Sequence, residues 1–159
     1  MDRVDTYVDG RVSFGGGMKS YMQIDLTAMI ERHEGNKPVA YQDSLGIWTV
    51  GVGHNMSRPL SAAAIQQILS DDIADATNDC LHAFPWFPDL TQPRQAALID
   101  MCFNLGLHRL QGFKKFLTAM ARGDYDTAAN EMLDSLWAKQ TGRRSIELAG
   151  LIRGASSDV

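Results

Sequence analysis

Apolar residues recur along this chain with two periods, and the change of period divides it. From Asp25, a good helix N-cap, the residues Leu26, Met29, Ile30 and His33 share one helical stripe that Gly35 stops, so the spacing predicts a first helix with Glu34 at its end. From Val39 the period shortens. Val39-Ala40-Tyr41-Gln42-Asp43, a turn through Ser44-Leu45-Gly46, and Ile47 to His54 are rich in β-branched and aromatic residues and read as a short hairpin sheet. Ser61 then caps a long helix running to about Ala83, with Ile65, Leu69, Ile73, Ala76 and Cys80 on its stripe and Pro85 beyond its end. The remainder reads as helices alone: Thr91-Gln92-Pro93 opening a segment through Leu105 that Gly106 stops, Phe113 to Arg122 ended by Gly123, Tyr125 to about Lys139, and Arg143 to Arg153 stopped by Gly154.

The class expected from these elements is α+β. A tail or linker over residues 1–22, which carries the run Gly15-Gly16-Gly17 and no helical period, precedes one domain over 23–159. That domain divides into a small mixed lobe (23–60), a connecting helix (61–83) and an all-helical lobe (84–159). Within the hairpin, Gly51 and Gly53 alternate on one strand; they weaken it as structure but permit close backbone approach on one face.

A chain of 159 residues, 45% apolar and 21% charged, is long enough to bury a core and lies far from the profile of disorder. The net charge is −4; the first eighty residues hold 6 Lys+Arg against 11 Asp+Glu, the rest 9 against 8, so no concentrated basic face points to nucleic acid. No apolar run approaches the roughly 20 residues of a membrane span, and residues 1–20 lack a signal-peptide plan, so a cytoplasmic monomer is expected, with export left to another agent. Cys80 and Cys102 sit at helical spacing and are expected as buried free thiols.

Glycoside hydrolysis needs one carboxyl that donates a proton to the leaving oxygen and a second that stays ionised across the sugar. Glu34 at a helix end and Asp43 at a turn, nine residues on, are such a pair; taken alone, Glu34 reads first as a solvated helix-end acid and Asp43, more strongly, as a turn-forming aspartate. No metal cluster or cofactor motif accompanies them: His54 has no second ligand at a recognisable spacing, and His33, His82 and His108 are scattered. No serine occupies a nucleophile-elbow context.

The string Glu34-Gly35, Tyr41-Gln42-Asp43, Thr49 and Gly51-Val52-Gly53-His54 resembles the phage-type lysozymes, in which a Glu-Gly pair closes the first helix, an aspartate follows nine residues on, and a threonine six further precedes Gly-x-Gly-His. The resemblance continues through Gln92 to Gly106 and through Trp137 and Gln140-Thr141, covering roughly residues 24–154. It implies a lysozyme-like fold, with Glu34 as general acid, Asp43 as the carboxylate that assists water or stabilises the oxocarbenium-like centre, and Thr49 as the hydroxyl that positions the water. It further implies Phe103 as a sugar-contact residue on the cleft wall, with core packing as the alternative. Arg144 matches an arginine that approaches the acid, and His54 and Asp72 look like a structural ion pair. The chain departs from the pattern in its acidic charge, in Asn55 after His54, and in its N-terminal segment.

The activity so implied is cleavage of the β-1,4 bond between N-acetylmuramic acid and N-acetylglucosamine in bacterial peptidoglycan, by an enzyme held in the host cytoplasm until lysis. A virion-associated wall-piercing domain, a non-catalytic wall-binding module and a lytic transglycosylase are the alternatives. The module would dispense with Glu34, Asp43 or Thr49, and a transglycosylase would leave Asp43 and Thr49 without work.

Overall fold

A computed structural model describes residues 4–8, 11–14 and 24–154, with side chains from residue 25 onward. It is α+β, as expected, and divides into two compact units, Met1–Leu60 and Ser61–Val159.

Among its described residues the first unit holds two three-stranded antiparallel sheets and one helix. β1 (Val4–Val8) pairs with β2 (Arg11–Phe14), which pairs with β3 (Ile24–Asp25). The segment expected as a tail or linker thus contains two strands, and backbone hydrogen bonding fastens it to the residues just before the first helix. Strand pairing with residues twelve or more positions away leaves no local signal in the sequence. Helix α1 (Leu26–Glu34) begins at Asp25, whose Oδ1 accepts from Ala28 N at 3.0 Å, and ends at Gly35 with φ of 74°. No α1 residue is fully buried, so its predicted stripe does not make a core of its own.

β4 (Lys37–Gln42), β5 (Trp48–Gly51) and β6 (His54–Asn55) form the second sheet, where a two-stranded hairpin was expected. The difference lies at Gly51-Val52-Gly53. With φ of 62° and 72°, the two glycines reverse the chain so that Val50 pairs with His54. Left-handed backbone of this kind carries little penalty at glycine and a substantial one at most other residues.

The second unit is helical among its described residues. Ser61 caps α2 (Ala62–Ala83), its Oγ accepting from Ala64 N at 3.1 Å, within a residue of the predicted limits. Of the predicted stripe only Ala76 and Cys80 are buried; Ile65, Leu69 and Ile73 are exposed, because the helices of this unit pack on the C-terminal part of α2. A 3-10 turn at Phe87–Asp89 leads to α3 (Gln92–Leu105), which ends at Gly106 as predicted, and α4 (Leu107–Leu110) follows. The 3-10 turn and α4 are too short for periodicity to show.

α5 (Lys114–Ala121) precedes α6 (Tyr125–Leu133) and α7 (Leu136–Thr141), which replace the single helix expected from Tyr125 to Lys139. The break is made by Ser135, whose Oγ donates to Met132 O at 2.6 Å and accepts from Ala138 N at 3.1 Å, closing one helix and opening the next. α8 (Arg143–Arg153) stops at Gly154 with φ of 98°. Leu98 and Met101 of α3, Phe116 and Met120 of α5, Met132 of α6 and Ile152 of α8 are sealed in the shared core. Fully burying side chains of this size contributes about 1.5–3 kcal/mol each in transfer terms, which is what holds short helices together.

Candidate active site

Glu34 stands at the last position of α1, where Gly35 turns the chain toward β4, and its side chain is exposed. Its carboxyl lies over the β5–β6 turn: a Cβ built on Gly53 would fall 3.0 Å from Glu34 Oε2. The helix end and the glycine turn of the second sheet therefore meet within one unit, as the spacing of Glu34 and Gly53 alone did not require.

Asp43 closes β4 and is half-buried. Its Oδ1 accepts two backbone hydrogen bonds, from Leu45 N at 2.8 Å and Ile47 N at 2.9 Å, while Asp43 N donates to Ile47 O at 3.0 Å. This is the turn role that an aspartate at this position predicts, and it leaves Oδ2 outside these bonds. Two backbone N–H groups on one carboxylate oxygen fix the direction of the side chain.

Thr49 lies on β5 and is buried at 5% exposure, one of two buried polar residues among those described. Its Oγ1 donates to Ile47 O at 3.1 Å. With the proton committed to that carbonyl, the lone pairs of the hydroxyl remain to accept from a water. β-Branched threonine holds few rotamers, so the hydroxyl direction is set by the strand.

His54, on β6, has its Nε2 buried with no hydrogen-bond partner among the described residues. Asp72 is exposed on α2, in the other unit.

In the second unit, Phe103 is 43% exposed and lines a cavity of about 360 Å³ with Leu69, Ile73, Ile99, Asp100 and Arg144. Arg144 Nε donates to Asp100 Oδ1 at 2.7 Å and Arg144 Nη2 to Asp100 O at 3.3 Å. The partner this arginine shows is thus Asp100, a residue that sequence reading did not single out; 44 positions separate them, beyond any local rule. Trp137 Nε1 donates to Asn104 Oδ1 at 2.7 Å, and its ring meets Phe113 edge-on at 6.3 Å. Asn104 was legible as a polar residue beside Phe103, but its partner was not.

No group of His, Cys, Asp or Glu able to hold a metal occurs among the described residues. No helix among them is long and apolar enough to cross a membrane.

The sequence pattern of the phage lysozymes matches residues 31–156, a span that contains Glu34, Asp43, Thr49 and the helices α2 to α8. The chain belongs to the phage lysozyme family. Among its relatives, an endolysin of Acyrthosiphon pisum secondary endosymbiont phage 1 is 33% identical over 79% of this chain and 86% of that protein. The endolysin of Salmonella phage P22 is 30% identical over 74% of this chain and 85% of that protein. The pre-baseplate central spike protein Gp5 of Enterobacteria phage T4 is 28% identical over 81% of this chain, which spans 28% of the spike protein's length. As a phage lysozyme, the chain is of the lysozyme type of peptidoglycan-hydrolysing glycosidase.

Proposed function

We propose that this protein hydrolyses the β-1,4 bond between N-acetylmuramic acid and N-acetylglucosamine in bacterial peptidoglycan and serves a phage in lysing its host. The observation that carries the reading is the placement of Glu34, Asp43 and Thr49 on one unit, the first at the turn of the second sheet and the other two tied to Ile47. Glu34 donates its proton to the glycosidic oxygen as the bond breaks. Asp43, with Oδ1 held by two backbone N–H groups, presents Oδ2 as the anion that takes a proton from the attacking water and offsets the positive charge at the anomeric carbon. Thr49 accepts a hydrogen bond from the same water, aiming its remaining lone pair at that carbon. Single displacement of this kind inverts the anomeric configuration.

Phe103 is assigned to sugar contact, supported by its exposed ring on an apolar cavity. Arg144, His54 and Asp72 are assigned supporting roles. Alanine substitution at each, read by KM and by thermal midpoint, separates a sugar contact, which moves KM, from a structural role, which moves the midpoint alone.

The decisive experiment is a turbidity assay on peptidoglycan with the parent and Glu34→Gln side by side. Loss of the acid is expected to slow clearing by about 10²–10⁴-fold, with thermal unfolding unchanged because Glu34 is exposed. Clearing at the parental rate rejects the assignment, and an anhydro product in the mass spectrum, instead of a reducing end, rejects hydrolysis.

A virion-associated wall-piercing role is a second reading, favoured by the similarity to a phage spike protein over 81% of this chain. Mass spectrometry of purified particles against cleared lysate distinguishes it from a free endolysin, held in the host cytoplasm until lysis.

A further inference from the structure

We infer that Gly53 is a positioning residue for the Glu34 carboxyl, its missing Cβ letting the carboxyl lie closer to the turn than a side chain there allows. The inference rests on the reading of Glu34 as the acid. Two glycines flank Val52 in the turn between β5 and β6, and both adopt left-handed backbone, with φ of 62° at Gly51 and 72° at Gly53. Backbone conformation therefore asks for glycine at each.

Their surroundings differ. A Cβ on Gly51 meets nothing within 4 Å, whereas a Cβ on Gly53 falls 3.0 Å from Glu34 Oε2, 3.3 Å from Cδ and 3.4 Å from Cγ. The group met is the free end of a flexible side chain, so it yields where backbone would not. The cost of adding the methyl thus falls on where the carboxyl sits and little on whether the unit folds. A proton donor works only within hydrogen-bond reach of the leaving oxygen, so a displaced carboxyl shows as lost turnover. Gly51 supplies the matched control, since alanine there carries the same kind of backbone strain and no contact with the acid.

The test compares Gly51→Ala and Gly53→Ala with the parent on a soluble wall-glycan fragment, measuring thermal midpoint, kcat and KM. Both variants are expected to lose similar thermal stability. Gly53→Ala is expected to lower kcat by about tenfold or more with KM within about twofold of the parent, while Gly51→Ala stays within about threefold in kcat. Equal losses of kcat in the two variants overturn the inference, and so does a Gly53→Ala loss confined to KM. If either alanine variant does not fold, Gly51→Asn and Gly53→Asn repeat the comparison, since asparagine tolerates positive φ better while still adding a Cβ. Parental turnover in Glu34→Gln removes the acid assignment and this inference together. An inactive Glu34→Gln protein beside equal Gly51 and Gly53 variants removes this inference alone.

Discussion

Asp43 and Thr49 are fastened to the same residue: Ile47 N donates to Asp43 Oδ1 at 2.9 Å, and Thr49 Oγ1 donates to Ile47 O at 3.1 Å. The carboxylate and the hydroxyl are thus fixed against one short stretch of main chain at the start of β5, with no other side chain intervening. On the proposed reading, preorganisation of this kind spares the site the entropy of ordering two polar groups around a water. It also separates what each group does for folding from what it does for chemistry.

For Asp43 the separation is made by isosteric substitution. Asn keeps an Oδ1 that accepts from Leu45 N and Ile47 N, so Asp43→Asn is expected to unfold within about 1 kcal/mol of the parent. Asp43→Ala leaves both N–H groups without their acceptor and is expected to lose roughly 1–2 kcal/mol. Both are expected to lose turnover on the proposed reading, because neither carries the anion. Denaturant melts and initial rates decide it: parental rates in the Asn variant would show that the charge at Asp43 has no catalytic part.

At Thr49 the hydroxyl is the variable. Thr49→Ser keeps the donor to Ile47 O and is expected to retain most activity, whereas Thr49→Val keeps the shape and loses the water contact. Because Thr49 is buried, Val also removes one of the two donors to the Ile47 carbonyl, Asp43 N remaining, at a cost of at most about 1 kcal/mol. Turnover should fall by about tenfold to a hundredfold in Val with a smaller change in KM. Equal losses in kcat and KM would make Thr49 a sugar contact instead.

Cys80 ties stability to alkaline pH. Burial, reinforced by neighbouring Cys102, pushes its thiol up from 9.0 to about 12, and both cysteines are free and buried, as expected. Between these values the unfolded chain releases the proton and the folded chain keeps it, so the unfolded state binds fewer protons and stability falls as pH rises. The slope is about 1.4 kcal/mol per pH unit from this group once pH exceeds the unfolded value. Denaturant melts of the parent and Cys80→Ala from pH 8 to 10.5 test it. The difference in unfolding free energy should drift in favour of the variant above pH 9, and a constant difference would refute the linkage.

Much of this protein was legible because helix ends follow local rules. Asp25 and Ser61 accept hydrogen bonds from N–H groups three residues on, and Gly35, Gly106 and Gly154 stop helices where the stripes run out. Ser135 obeys the same rule, yet the apolar period running across it suggested one helix where there are two. The turn role of Asp43 was equally local, spanning four residues.

By itself, then, the order of residues determined the class, the limits of the helices with local caps or stops, and the spacing of Glu34, Asp43 and Thr49, all of which depend on neighbours within a few positions. Tertiary structure decided that the Glu34 carboxyl rests over Gly53, that Arg144 takes Asp100 and Trp137 takes Asn104, and that Arg11 and Val12 pair with Asp25 and Ile24. The physical reason is that a hydrogen bond or a close contact has a fixed geometry but no fixed separation along the chain, so packing selects its partner.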